Sequence, residues 1–191
     1  MPRIPYVTYD ELSPEKQAEI NKHNLNWDDS LNVFKVLANS PVVYDAFGML
    51  GGKLFFDAEL NPKYRELVIL RIAILKKSRY EWAQHVPLAF TTGITAEQVT
   101  GLINWESSNL FSPEERTILR YTDEVIRDTR PTDQTFQDAA IFLSKQSLTE
   151  LTLAIGYWNM VALFLNTLKV EVEDNYHEKH GKILPDPEPE W

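Results

Sequence analysis

The stretch from Asn61 to Gly93 constrains the fold most, because it reads as two helices joined by a break. Asn61-Pro62 is a start signal: Asn accepts from the free N–H groups of a first turn, and Pro has no N–H to satisfy there. Leu67, Leu70, Ile74 and Leu75 then recur at helical spacing. Lys76-Lys77 interrupts the apolar pattern, a second helix begins at Ser78 or Arg79, and Gly93 ends it as a left-handed cap residue does. Folded at the lysines, such a pair makes a helical hairpin.

The remaining start and stop signals extend this pattern over the chain. Ser13-Pro14-Glu15 opens a first helix, 30–38 reads as a second and 41–56 as a third. Thr95-Ala96-Glu97-Gln98 is a short start, and Ser112-Pro113-Glu114-Glu115 is the clearest capping box, leading to about Asp128. Arg130-Pro131 breaks that helix; 133–143 and 148–168 follow. The expected fold class is therefore all-α. The chain divides into an N-terminal helical extension over 1–60, a helical core over 61–175 and a tail over 176–191, Pro-rich and acidic after Gly181, all within one domain. Arg65-Glu66-Leu67-Val68-Ile69-Leu70 is echoed by Thr149-Glu150-Leu151-Thr152-Leu153-Ala154. Two long helices sharing a pattern suggest a helical bundle of two pseudo-repeated halves, with those helices packed antiparallel; the competing reading is that any two amphipathic helices look alike.

Bulk composition removes several function classes. The 191 residues, 43% hydrophobic, suffice for one sizeable core. A net charge of -9 without a basic block argues against nucleic acid and anionic membrane as partners. The longest apolar run, 151–168, is broken by Asn159 and Asn166 and reads as too short for a span of roughly 20 residues. No secretory signal is visible, so a cytoplasmic location is expected. The chain has no cysteine, which removes disulfides, thiolate catalysis and Cys-zinc sites together. His177-Glu178-Lys179-His180 spaces its two His at i, i+3 and does not match the zincin pattern, so no metal is expected. No nicotinamide, flavin or phosphate fingerprint is present either, and no cofactor is expected.

The candidate site lies in the hairpin. On a helix beginning near Ser78, the residues Ser78, Glu81 and His85 fall at i, i+3 and i+7, on one face. Glu81 and His85 form an i, i+4 pair, and a carboxylate near an imidazole favours its charged form and fixes one tautomer. Glu66 sits on the preceding helix and reaches the same face if the hairpin closes. The group suits proton transfer, with one His between two carboxylates, His85 as acid or base and Glu81 as a second base or hydrogen-bond partner. The competing reading is a solvated Glu and His that do nothing, or a dry structural network. Tyr80, Trp82, Val86 and Phe90 cover the helix and weigh against the solvated case. Pro87 removes a helical donor just past His85, which either frees a carbonyl near the site or is no more than a packing device. Arg71, inside an apolar run, needs a partner: a salt bridge, a subunit contact or a substrate carboxylate. Ser78, Tyr80, Arg71 and Tyr157 complete the candidate substrate-binding set. Asn159 and Asn166 also need partners, within the chain or across a subunit boundary.

The spacing of Glu66, Ser78, Glu81 and His85 resembles the carboxymuconolactone decarboxylase and alkylhydroperoxidase D-like superfamily. Its redox members read Glu, eleven residues, Cys, two residues, Cys, three residues, His; here Ser78 and Glu81 stand where the thiols would be. Tyr80-Glu81 and His85 resemble the Tyr-Glu-x-x-x-His of the decarboxylase type, which acts on lactone acids of aromatic compound catabolism. The segment 150–170, with Gly156-Tyr157 and Asn159, resembles the second helical half of that family. The resemblance implies an all-helical homo-oligomer, a trimer or else a hexamer, with its site near a subunit boundary. It implies a cofactor-free lyase or isomerase acting on a small organic acid or lactone, with Glu66 orienting His85. Thiol peroxidase chemistry is excluded for want of a thiol. The alternative is a non-catalytic oligomer that keeps the frame for packing or for holding a small ligand.

Overall fold

A computed structural model describes residues 1–181. It is all-helical, with no strand among the described residues. The α-helices in chain order are α1 (Pro14–Lys22), α2 (Asn32–Leu37), α3 (Pro41–Gly52), α4 (Pro62–Lys76), α5 (Arg79–Thr91), α6 (Ala96–Gly101), α7 (Pro113–Asp128), α8 (Asp133–Ala140), α9 (Lys145–Leu168) and α10 (Tyr176–His180). The caps fall where the side chains foretell them. Ser13, Asn61, Thr95 and Ser112 each accept a backbone N–H of their helix, and Thr95 and Ser112 close full capping boxes with Gln98 and Glu115. The last long helix starts earlier than the apolar pattern indicates, at Lys145, because Ser144 caps it by accepting from Ser147 N–H.

Helix α4 is the axis of the molecule. Every residue from Arg65 to Ala73 is buried, and the helix supplies both main core clusters. Val68, Ile69 and Ile72 pack with α2, α7 and α9, whereas Leu67, Leu70 and Ala73 pack with α5, α6 and α7. A helix covered on all sides needs no polar face, which is why its apolar residues outnumber one amphipathic stripe. The α4–α5 turn is tight: Lys77 takes the left-handed conformation at φ 54° and Ser78 N–H returns to Ala73 O at 2.9 Å.

Two expectations are corrected here. Helices α4 and α9 do not run antiparallel. Leu60 N–H reaches Glu150 at 2.7 Å near one pair of ends, and Asn166 Nδ2 reaches Lys76 O at 2.7 Å near the other, each contact separated by 90 residues. That constant offset means that the two helices run side by side in the same direction. Antiparallel packing is imposed by short loops, and four helices intervene between α4 and α9. The second correction concerns apolar length. With 24 residues, α9 is long and apolar enough to cross a membrane by length and composition. Here it is packed on α4, α5, α7 and α8, burying Leu151, Ala154, Ile155, Trp158 and Ala162.

The segment read as an extension is built into the core. Val33, Val36 and Leu37 of α2 join the main cluster, and Leu12, Ile20 and Trp27 form a smaller one of their own. Within the segment read as a tail, Tyr176 of α10 is 3% exposed. The Pro-rich stretch after Gly181 lies outside the described residues.

Candidate functional site

The site forms where α5 faces α4, α9 and the turn after α3. Glu66 is fully buried on α4, and its Oε2 lies 2.9 Å from His85 Nδ1 on α5. Arg65 Nε donates to the other oxygen, Oε1, at 3.2 Å. A carboxylate holding an Arg on one oxygen accepts on the second as well, so Nδ1 carries the imidazole proton and Nε2 is left as the basic nitrogen. Arg65 is itself fixed: its Nη1 donates to Phe55 O at 2.6 Å and its guanidinium lies 4.0 Å from the Phe55 ring centroid. Nothing in the sequence announces this role, because neighbours at i, i+1 on a helix do not ordinarily meet. Phe55 and Trp158 each stand 6.3 Å from the His85 ring, the latter edge-on at 90°.

His85 lines a cavity of about 350 Å³, a size suited to a small organic ligand. Phe34, Phe47 and Phe55 form the wall from the N-terminal segment, Tyr157 and Trp158 the wall from α9, and Tyr80, Glu81 and Gln84 the wall from α5. The cavity is therefore roofed by the segment that the motif does not reach. Gly51 makes room for that roof: a Cβ there would run into the Tyr157 hydroxyl and ring edge, and the tyrosine would have to move. The hydroxyl donates to Phe47 O at 3.0 Å, tying α9 to α3 across the cavity.

Glu81 lines this cavity, 2% exposed, and neither of its carboxyl oxygens has a hydrogen-bond partner. The expected pairing of Glu81 with His85 is not made. Burial pushes the Glu81 carboxyl well above the usual carboxylate range, which favours the protonated form, with an O–H to donate, over a second carboxylate. One turn before it, Ser78 is fully buried, with Oγ also unpartnered, but Ser78 does not reach the cavity wall.

Tyr80 lines the cavity with its hydroxyl already engaged, donating to Glu173 at 2.6 Å and accepting from Val33 N–H at 3.2 Å. Burial, and then the Glu173 carboxylate, push its phenol up. Glu173 also accepts from Gln84 Nε2 at 2.5 Å and Asn32 N–H at 2.7 Å, so one acid near the end of the chain clips α2 to α5 beside the site. Glu173 carries no sequence signal. Arg71, expected among the substrate-binding residues, is not at the cavity. It makes a two-pronged buried pair with Asp123 at 2.6 and 2.7 Å and donates to Leu102 O at 2.9 Å. Its charge is neutralised inside the α4–α7 contact, which is where an Arg in an apolar run is held most cheaply. The carbonyl freed by Pro87 is that of Ala83, four residues earlier. It faces away from the site, accepting from the Tyr176 hydroxyl at 2.5 Å. Among the described residues, no group of three or more His, Asp or Glu is gathered to hold a metal.

Comparison with known proteins agrees with this frame. Residues 41–124 match the carboxymuconolactone decarboxylase family. The uncharacterized protein YnjA of Escherichia coli (strain K12) is 28% identical over 155 residues, covering 79% of this chain and 84% of that one. The alkylhydroperoxidase AhpD core of an uncharacterized peroxidase-related protein from Ralstonia eutropha JMP134 superposes with a TM-score of 0.78 at 16% identity, over 92% of this chain and 94% of that chain. The debrominase Bmp8, solved as a Cys-to-Ala variant with 2,3,4-tribromopyrrole, superposes with a TM-score of 0.70 at 13% identity, over 90% of this chain and 95% of that chain. At such identities the structural likeness speaks for the fold, and the family match speaks for the segment that holds Glu66, Glu81 and His85. Residues 41–124 are thus similar to the carboxymuconolactone decarboxylase family, and the fold of the chain is like that of the AhpD core.

Proposed function

We propose that the chain is a cofactor-free acid–base enzyme, a lyase or isomerase acting on a small organic acid or lactone held in the cavity beside His85. The observation that carries this reading is the Glu66–His85 contact at 2.9 Å on the wall of a cavity of about 350 Å³. Glu66 holds the proton on Nδ1 and directs the Nε2 lone pair outward, and Arg65 keeps Glu66 an acceptor. His85 takes a proton from bound substrate and returns it elsewhere. The negative charge that develops on a substrate oxygen meets the Glu81 O–H, a donor already in place in a water-poor site. A positioned acid or base contributes roughly 10² to 10⁴ in rate, and His85→Gln is expected to lose that much turnover on a lactone panel while keeping its fold. Full activity in that variant would overturn the reading. Thiol-dependent peroxide reduction does not enter, since the chain has no cysteine.

The alternative, a superfamily member that only holds a ligand, draws on the aromatic character of the cavity wall. It predicts binding without turnover, and the same His85→Gln comparison separates the two.

A further inference from the structure

The cavity wall contains no Lys and no Arg among the described residues; its charged or titratable groups are Glu81, His85 and the two tyrosines Tyr80 and Tyr157. Both tyrosine hydroxyls are committed to protein partners. A ligand carboxylate brought into this space would meet aromatic faces and a buried acid, with no Lys or Arg and only a protonated His85, already facing Glu66, to offset its lost hydration. A ligand ammonium would meet no carboxylate with ordinary charge on the wall, since Glu66 lies behind His85 and burial disfavours the charged form of Glu81. What remains unanswered inside the site is the Glu81 carboxyl, 2% exposed and without a hydrogen-bond partner on either oxygen. An unsatisfied buried polar group is costly and therefore informative. A carboxylic acid offers one donor and one acceptor, and its natural counterpart is the oxygen of a carbonyl.

We propose that the site takes a neutral, unsaturated cyclic carbonyl compound with an apolar ring skeleton, a cyclic enone or an uncharged unsaturated lactone, its carbonyl oxygen on the Glu81 carboxyl and an acidic C–H facing His85 Nε2. This rests on the acid–base reading above, keeps its isomerase branch, and replaces the organic acid by an uncharged carbonyl compound. The step balances without an oxidant or a second substrate. His85 Nε2 takes the proton α or γ to the carbonyl. The C–H electron pair becomes a carbon–carbon π bond and the carbonyl π pair moves onto oxygen, where the Glu81 O–H stabilises the dienolate. The imidazolium then returns its proton to the other carbon, and the double bond has shifted. The aromatic walls exclude water from the enolate, and Glu66 steadies the transient charge on His85.

The test uses the full-length protein at neutral pH and four probes sharing one alkylated six-membered ring: the cyclohexenone, the cyclohexene carboxylate, the cyclohexenyl amine and the hydrocarbon without a polar group. Calorimetric titration should show the enone bound more tightly than carboxylate or amine by roughly a hundredfold, the scale on which an uncompensated charge is penalised. Glu81→Leu should lose roughly tenfold on the enone, the value of one hydrogen bond, and nothing on the hydrocarbon. Glu81→Gln, which keeps an N–H donor, should restore most of the loss, and it also serves if the Leu variant fails to fold. Carboxylate or amine bound as tightly as the enone overturns the proposal, as does an enone affinity indifferent to Glu81→Leu. Exchange of the enone's acidic protons in D₂O, followed by NMR, reads the chemistry separately. Exchange that falls to background in His85→Gln sustains both layers. Enone preference without any such exchange sustains the ligand class and overturns the catalytic reading beneath it.

Discussion

At the residue scale, two carboxyl groups fifteen positions apart are given opposite characters by their partners. Glu66 is fully buried yet flanked by Arg65 and His85, so it serves as an acceptor that sets the imidazole tautomer. Glu81 is as deeply buried with no partner at all, and burial raises its pKa. Environment, not residue type, makes one an orienting base and the other an acid. The second case has a consequence for stability. Below the ordinary carboxylate value near 4.5, folded and unfolded chains both hold the Glu81 proton and the group costs nothing. Above it the unfolded chain releases the proton while the folded chain retains it, so stability falls as pH rises, until the folded-state value is passed. The slope is at most about 1.4 kcal/mol per pH unit. Urea unfolding of the wild type and of Glu81→Gln across about pH 5 to 7 isolates the effect, because every other titrating group cancels in the difference. The wild type should lose ground against the variant with each step upward. Parallel curves would show that Glu81 is ionised in the folded protein and would remove the acid from the site.

At the element scale, α5 depends on a contact far away in sequence. Pro87 deprives the Ala83 carbonyl of its helical donor, and the buried Tyr176 hydroxyl supplies the replacement at 2.5 Å. Tyr176→Phe removes that donor while keeping the ring, leaving a buried carbonyl unsatisfied; the expected loss is about 1 to 3 kcal/mol in urea unfolding. A smaller loss, within about 0.5 kcal/mol, would mean that water reaches Ala83 O. This contact also marks where reading the sequence stops. Helix starts were legible because caps are local: Ser13, Asn61, Thr95 and Ser112 act within three residues of themselves. The Glu66–His85 juxtaposition was legible because a two-residue turn folds α4 onto α5. The direction of α9 against α4, the Arg71–Asp123 pair, the Glu173 clip and the aromatic roof from α2 and α3 were not, since each joins segments whose meeting depends on the whole packing. The unpaired state of Glu81 was hidden for a related reason: i, i+4 spacing permits a Glu–His contact but does not compel one.

At the scale of the whole molecule, apolar surface remains where a lone chain should not leave it. On α3 and the turn after it, Val42 is 85% exposed, Met49 68% and Phe56 80%; on α9, Leu153 is 52% exposed, Met160 47% and Leu163 51%. The α9 residues share one face with Gly156, where added side-chain atoms would meet nothing, and the neighbouring Asn159 keeps an oxygen buried and unpartnered. Contiguous apolar patches of this kind mark interaction surfaces, and a glycine on such a face lets another backbone approach closely. We expect a second copy of this chain to cover them, in a trimer first and a hexamer second, as the superfamily resemblance implies. Stable obligate interfaces bury on the order of 2,000 Å² or more, and one helix face does not supply that alone, so both patches would be engaged. Phe56 lines the cavity as well as facing outward, so assembly would close the cavity mouth and tie activity to oligomeric state. Light scattering should return a multiple of the 22.1 kDa chain mass, and Leu163→Asp, placing an unpaired charge on the α9 face, should reduce it to that mass and weaken ligand binding at the intact His85. A wild-type monomer at micromolar concentration would defeat the expectation, and a Leu163→Asp oligomer of unchanged mass would move the interface off α9.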